Sequence, residues 1–215
     1  TGGITALSSE AITDYAKSLS DADPDRLTRD EALAYWIDLY NALALDLALR
    51  SADLGSVLRT KGGFTAPVTE IGRERLSLDA IEHGKIRRFG DPRIHAALVC
   101  GSASCPTLRS TAYTGDSLDE QLDDQMRHFL GAGGAEFDRE DRVVRLSRVF
   151  LWYGGDFVRP HRMPTVVPAR RRAILEALTP WLDPQDAEWV TETAPTVEFQ
   201  DYDWSLRCAV RPPTP

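Results

Sequence analysis

Apolar residues recur along residues 28–50 at the spacing of a helix that is buried on most of its faces. The stretch ALAYWIDLYNALALDLALR carries apolar side chains nearly all round the helix. It follows TRDE, in which Thr28 and Glu31 have the spacing of a capping box. The pattern predicts a core helix that ends near Arg50. Asn41 is a polar exception on this helix, and we expect its amide to make specific hydrogen bonds because burial without partners costs free energy.

Shorter patterns follow this helix. VTEIGRERLSL alternates around Gly72 and predicts a short β hairpin, and Ser77 is placed to cap a helix over LDAIEHGKIRRF. The run IHAALV at residues 94–99 is apolar apart from His95. It predicts a short strand that is buried on both faces.

The second half of the chain contains both helix-like and strand-like spacings of apolar residues. SLDEQLDDQMRHFLG predicts a helix, DRVVRLS a strand, and SRVFLWYGGDF a helix that ends at Gly154 and Gly155. Two more helices are expected, one opened by Pro168 and one over DPQDAEWVTE, and TVEFQDYDW alternates like a final strand. The pattern predicts one helix-rich α+β domain with a small, mainly antiparallel sheet.

Composition narrows the class of protein. The 215 residues are 42% hydrophobic, which is enough for a substantial core. The net charge of -8 and the pI near 5.0, without a basic block, argue against a nucleic-acid partner. No apolar run approaches the ~20 residues of a transmembrane helix, and no signal peptide opens the chain. We expect a soluble protein, either cytoplasmic or exported with its signal removed, and the oligomeric state stays open.

The stretch RIHAALVCGSASCPTLR, residues 93–109, concentrates the candidate chemistry. Proline after Cys105 predicts that a helix starts there with Cys105 as its N-cap residue. Free amides and the helix dipole at that position would favour the nucleophilic thiolate. His95 is the best placed general base, and Glu82 could orient it.

Three other interpretations of the two cysteines stay open. Core sulfur is the favoured interpretation of Cys100 and has an even chance for Cys105. A Cys100–Cys105 disulfide fits a tight loop if the protein is exported. A zinc site that includes His95 has less support, because no CxxC pair is present.

Several segments occur in the order typical of one family. They are YWIDLYNAL, SLDAIEHGKIR, DPRIHAALVCGSASCPTLR, LSRVFLWYGGDF and YDWSL. The chain therefore resembles the domain of unknown function 547, a family of bacterial proteins, often exported or lipid-anchored, and of plant proteins that carry a leucine-zipper segment. The resemblance implies a family domain over 28–206, between a lead-in segment, 1–27, and a tail, 207–215. It also implies a remote similarity to papain-like and transglutaminase-like thiol enzymes.

The family pattern falls on Trp36, Tyr40, Asn41, Glu82, Arg87, Arg93, His95, Cys100, Ser104, Cys105, Pro106, Trp152, Asp156, Phe157 and Trp204. The chain departs from the pattern at Arg207, where the family usually has Asn. In the papain order the cysteine precedes the histidine, which would require His128 or His161 as the base, whereas His95 precedes both candidate thiols.

The resemblance and the thiol segment together predict a thiol hydrolase or acyltransferase that acts on amide, peptide or γ-glutamyl bonds without a cofactor or metal. Cys105 would be the nucleophile, with Cys100 as second choice, and His95 the base. Glu82 or Asp156 would orient the base, and the amides of 101–106 would form the oxyanion hole.

The substrate would be a small molecule or a peptide. The residues expected to bind it are Arg87, Arg93, Ser104, Asn41 and Trp152. Internal salt bridges are the competing interpretation of the two arginines. A non-catalytic binding or scaffold module with a structural cysteine loop is the alternative function.

Overall fold

The structure is a computed structural model that describes residues 9–158 and 162–207. Within these residues the contacts define two compact units, which are 9–122 with 203–207, and 123–158 with 162–202. Helices dominate and short strands accompany them, which confirms the predicted helix-rich α+β class. The helices are α1 Ser9–Ser20, α2 Arg29–Arg50, α3 Leu78–Gly84, α4 Ile94–Ala97, α5 Leu118–Phe129, α6 Arg148–Phe157, α7 Val167–Leu178 and α8 Pro184–Thr193. The strands are β1 Thr69–Ile71, β2 Glu74–Leu76, β3 Ala135–Asp138, β4 Val143–Leu146 and β5 Thr196–Phe199.

Helix α2 is the centre of the first unit's core. Its predicted capping box is confirmed, because the Thr28 hydroxyl accepts from the Glu31 amide and the Glu31 carboxylate accepts from the Thr28 amide at 2.9 Å. Six of its residues are at most 1% exposed: Leu33, Ile37, Leu39, Ala44, Leu47 and Ala48. By length and composition α2 could cross a membrane, but 78% of the relevant window is buried within the protein. That burial is typical of a core helix.

Helix α1 lies within the segment predicted only as a lead-in. Its buried Ile12 and Ala16 are part of the apolar packing around α2. The hydroxyl of Ser20, the last residue of α1, lies 2.9 Å from that of Thr69 on β1. α1 is therefore tied to the hairpin as well as packed on the core.

The predicted hairpin and the start of the helix after it are confirmed, but the helix ends at Gly84 and a separate 3-10 turn covers Ile86–Phe89. β1 and β2 pair antiparallel, with Ile71 opposite Glu74, and Gly72 takes the left-handed conformation of the turn (φ +64°). The Ser77 hydroxyl accepts from the Ala80 amide at 3.1 Å, so it caps α3 as expected.

The strand predicted over residues 94–99 is wrong. The segment Ile94–Ala97 is instead one turn of helix, α4, followed by extended backbone. Asp91 starts this turn, because its carboxylate accepts from the Arg93 amide at 3.0 Å. Residues 94–99 are all buried, so their apolar character reports burial and does not distinguish a strand from a helical turn.

The second unit contains a three-stranded sheet in the order β3-β4-β5. β3 and β4 are antiparallel, as expected, whereas β4 and β5 are parallel. The parallel pair follows from connectivity, because α6, α7 and α8 all lie between β4 and β5 in the chain and return it to the same end of the sheet.

Helix α6 does not end at its glycines, contrary to the prediction. It continues to Phe157 through Gly154, which faces Ile174 of α7 so closely that a Cβ there would collide with the isoleucine side chain. Gly154 thus lets the two helices approach, and the helix continues because packing offsets the low helix propensity of glycine.

Candidate functional site

Asn41 holds the backbone that leads into the cysteine loop. Its side-chain nitrogen donates to the Ala97 carbonyl at 3.0 Å, and its side-chain oxygen accepts from the Val99 amide at 2.9 Å. The residue is 4% exposed. The expectation that this buried amide has specific partners is confirmed. The two bonds attach the segment after α4 to helix α2. The Asn41 side chain thus takes the place of the backbone of an adjacent β-strand, which would also bond one carbonyl and one amide.

Neither cysteine of the loop is part of a disulfide. The Cys100 amide donates to Cys105 Sγ at 2.8 Å, and the Cys105 thiol faces the Leu98 carbonyl at 3.8 Å. Cys100 Sγ lies 3.0 Å from the buried Ser102 hydroxyl. Each sulfur therefore has polar contacts inside its own loop, and the proposed Cys100–Cys105 disulfide is not formed.

Residues 203–207 run antiparallel along the cysteine loop and are hydrogen-bonded to it. The Ala103 amide donates to the Ser205 carbonyl and the Arg207 amide to the Gly101 carbonyl, both at 2.9 Å. The Ser104 hydroxyl, predicted to bind substrate, accepts from the Asp203 amide at 2.9 Å. The cysteine loop thus holds the 203–207 segment in the first unit through these hydrogen bonds.

Gly101 is the tightest point of this arrangement. Its φ of +83° is a conformation that favours glycine, and a Cβ there would lie 3.0 Å from the Ala48 Cβ on α2. The glycine therefore allows the loop to turn directly against the core helix.

The prediction that Cys105 caps a helix is wrong. No helix starts at Pro106, and the chain from 106 to 114 contains no helical turn. Proline here follows a backbone turn in which the Cys105 amide donates to the Ser102 carbonyl at 3.2 Å. The helix dipole that was expected to favour the thiolate is therefore absent from this position.

The amides expected to form an oxyanion hole are largely bonded already. Those of residues 103, 104 and 105 donate to the carbonyls of 205, 203 and 102. Pro106 has no amide hydrogen. An oxyanion hole requires donors directed at the reacting oxygen, so four of the six positions in 101–106 are unsuited to that role.

The predicted base and its orienter are both buried in the first unit. His95, on α4, is 4% exposed, and Glu82, on α3, is 8% exposed. The Tyr40 hydroxyl donates to the Glu82 carboxylate at 3.3 Å. Two residues of the family pattern, one on α2 and one on α3, are therefore in direct contact.

The two predicted substrate-binding arginines make local contacts. Arg93 forms a bidentate pair with Asp91, the closest N–O distance being 2.7 Å, and also reaches Asp119 at 2.8 Å. Arg87 lies 3.3 Å from the His83 ring nitrogen, one helical turn away. For Arg93 this geometry favours the internal salt-bridge interpretation, because the guanidinium joins a loop to the start of α5.

Trp152 and Asp156 belong to the second unit, where α6 carries both. Trp152 is 45% exposed and its ring packs on Tyr202 with a centroid distance of 4.8 Å. Asp156 is half-buried. His161, one of the two histidines that the papain order would require as the base, lies outside the described residues. The other, His128, lies on α5. Among those described, no three His, Cys, Asp or Glu side chains are grouped as metal ligands.

Sequence reasoning missed a cavity that is lined in part by Asn41. It has a volume of about 180 Å³, and aliphatic residues of α1, α2 and the 108–113 segment line it together with Tyr15, Asp38 and Arg109. Ile12 and Leu45 on its wall belong to the apolar cluster that Cys105 packs against, and Leu108 packs against the same cluster. The cavity is therefore adjacent to the cysteine loop.

Asp38 is the charged group on the α2 wall of this cavity. Its two carboxylate oxygens accept the Tyr113 amide at 3.2 and 3.1 Å, and the Tyr15 hydroxyl donates to it. Burial raises the pKa of Asp38 to about 7, although both hydrogen bonds act in the opposite direction. Burial and the neighbouring Asp38 charge raise the pKa of Tyr15 to about 12.

The sequence contained a signal for this site. Asp38 interrupts the apolar run AYWIDLYNAL at the centre of a buried helix, as Asn41 does. A carboxylate is costlier to bury than an amide. The reasoning that predicts specific partners for Asn41 therefore applies even more strongly to Asp38.

These features define a helix-rich α+β protein whose hydrogen-bonded cysteine loop lies against a central helix. Residues 24–130 match the family described as "Protein of unknown function, DUF547", and the chain belongs to this family. The match includes the cysteine loop and ends before the LSRVFLWYGGDF and YDWSL segments, so it is shorter than the expected 28–206. Neither the comparison with curated proteins nor that with solved structures gave a match.

Proposed function

We propose that this protein is a binding module in which the cysteine loop is structural. The proposal rests on one observation: the backbone amides of residues 103, 104 and 105 in the loop already donate hydrogen bonds to carbonyls of the protein. With these three donors already bonded, and no amide hydrogen on Pro106, the loop has little preorganised charge stabilisation left to offer a tetrahedral intermediate. Two of these bonds, from the amides of 103 and 104, also have a structural effect, because they hold the 203–207 segment against the loop.

The surroundings of Cys105 support the same proposal. Its side chain packs against Ile12, Leu45 and Val99, and its sulfur accepts an amide from within the loop. Sulfur in such an apolar setting generally behaves as a small hydrophobic group. The adjacent cavity then offers the module a place for a small-molecule or peptide ligand.

A thiol hydrolase or acyltransferase is the second candidate, and one observation favours it. Cys105 is not part of a disulfide and is not fully buried, and the Cys100 amide at 2.8 Å would stabilise a thiolate. In that case Cys105 would lose its proton to His95 and attack an amide or γ-glutamyl carbonyl, forming a thioester as the C–N bond breaks and the amine leaves with that proton. Water or an acceptor amine would then take the acyl group and restore the thiol.

Alkylation of the native protein distinguishes the two candidates. The rate of iodoacetamide modification at Cys105 would be followed by mass spectrometry from about pH 6 to about pH 9, with the protein unfolded in urea as the reference. We expect Cys105 to react at least about tenfold more slowly when folded, because the loop shields its sulfur. Faster reaction of the folded protein at about pH 6 would refute the binding-module proposal and support the thiol enzyme.

Two variants test the structural role directly. Cys105→Ala leaves the Cys100 amide without its acceptor, whereas Cys105→Ser retains an oxygen acceptor. We expect the alanine variant to lose about 1 to 3 kcal/mol of unfolding free energy and the serine variant to lose less. Equal losses would mean that the sulfur contributes only by filling space.

A further inference from the structure

We propose that the cavity beside Asp38 binds a small ligand that carries a protonated amine next to an aliphatic group. The inference rests on the proposed binding function and adds to it a site and a ligand class. Its basis is the combination of a carboxylate and an aliphatic wall in one cavity that is reached from solvent.

Charge is the first argument. Within the described part of the chain, Asp38 has hydrogen bonds from Tyr15 and Tyr113 but no ion pair with lysine or arginine. A partly buried carboxylate without a counterion is costly, and a cation placed against it recovers part of that cost. The protein therefore presents a negative group that a positively charged ligand would complement.

Shape is the second argument. Ile12, Ala42, Leu45 and Leu108 supply apolar surface, and the volume of about 180 Å³ suits a ligand of a few carbon atoms. Access is available at the mouth, where Ser110 and Thr111 are exposed. A short branched alkyl chain would cover the apolar wall while its amine faces the carboxylate.

Arg109 restricts where the amine can lie. This residue also lines the cavity, and its guanidinium stacks over the Tyr113 ring at 5.8 Å and donates to the Gln121 carbonyl at 3.5 Å. An amine beside Arg109 would be repelled, so we place it at the Asp38 end. A ligand that also carries a carboxylate could direct it towards Arg109.

The test compares two probes of nearly equal shape, isoamylamine and isoamyl alcohol. Binding to the full chain would be measured by titration of amide NMR signals, with the Tyr113 amide as the local reporter because it donates to Asp38. We expect the amine to bind at least about tenfold more tightly than the alcohol at about pH 8. Equal affinities, or no shift of the Tyr113 signal with the amine, would overturn the proposal.

A variant pair assigns the effect to Asp38. Asp38→Asn should reduce amine affinity by about tenfold and leave alcohol affinity unchanged. Asp46→Asn is the matched control, because Asp46 lies on the same helix in a surface pair with Arg50 and outside the cavity. A loss of amine affinity in both variants would indicate nonspecific electrostatics and would also overturn the proposal.

The pH dependence provides a further check. The charged or titratable groups that face Asp38 are Tyr15 from α1 and Arg109 and Tyr113 from the 108–113 segment. Tyr15, with its raised pKa, keeps its charge state around neutral pH, so ionisation of Asp38 dominates. Amine affinity should therefore rise from about pH 6 to about pH 8, and a flat profile would count against Asp38 as the binding group.

The amine-binding test and the Cys105 alkylation test can fail independently of each other. Failure of the amine to bind removes the ligand class, while the alkylation rate of Cys105 still decides between a structural and a reactive cysteine loop. Rapid alkylation of Cys105 together with tight amine binding would instead mean that the cavity serves a thiol enzyme.

Discussion

Replacement of Asp38 by asparagine should change the pH dependence of stability in a defined direction. Burial raises the folded-state pKa of Asp38 from 3.8 to about 7. Between these values the folded protein retains a proton that the unfolded chain has already released. The stabilising contribution of this proton is complete below the ordinary pKa and is lost as the pH rises through about 7.

The size of the effect follows from the same two pKa values. Linkage over the interval from about pH 5 to about pH 8 gives a loss of about 2 to 3 kcal/mol of unfolding free energy from this one group. An asparagine side chain does not titrate, so Asp38→Asn should gain stability relative to the wild-type protein by that amount between the two pH values. The hydrogen bond from the Tyr113 amide can be retained, because asparagine keeps an acceptor oxygen.

Urea unfolding of the two proteins at both pH values measures this difference. Titration of the histidines affects both proteins alike and cancels when their unfolding free energies are subtracted. Asp46→Asn serves as the control, and its difference from the wild type should change little, because an exposed ion pair contributes little. An Asp38→Asn difference that is the same at both pH values would refute the reasoning.

Three further substitutions test how the first unit is held together. Asn41→Ala should cost about 2 to 4 kcal/mol, since it leaves two backbone groups of 97–99 without partners; a loss below about 1 kcal/mol in urea unfolding would contradict this. Thr28→Ala should cost about 1 kcal/mol by removing the capping box, visible as a lower melting temperature by circular dichroism, and no change would mean that packing alone positions the helix start. Gly101→Ala should destabilise more than Gly55→Ala, because both have positive φ but only Gly101 faces close neighbours; equal melting temperatures would show that the loop can move away.

Local sequence patterns succeeded where a short segment determines its own structure. The capping box at Thr28, the hairpin around Gly72 and the cap at Ser77 depend on residues within a few positions of each other, and all three are confirmed. The same patterns failed at 94–99 and at Pro106. An apolar run is compatible with a strand or a helical turn, and a proline after a polar residue is compatible with a helix start or a plain turn.

The candidate site also has features that the sequence predicted and features that it did not. The sequence identified Asn41 as a buried polar group with specific partners, and it identified the cysteine loop as the most unusual segment. It did not identify those partners, because Ala97 and Val99 lie more than fifty positions away in the chain. Nor did it find the cavity, whose charged wall depends on Tyr15 and Tyr113 meeting Asp38.

What the sequence alone determined about this protein is its class, its helix starts and its family, because these depend on composition, on neighbouring residues and on recognisable motifs. Only the tertiary structure decided the chemistry of the individual groups. The availability of an amide in the cysteine loop depends on residues 203–207, and the ionisation of Asp38 depends on helix α1 and the 108–113 segment. Hydrogen bonding and burial are properties of groups brought together from distant parts of the chain, so a local pattern does not contain them.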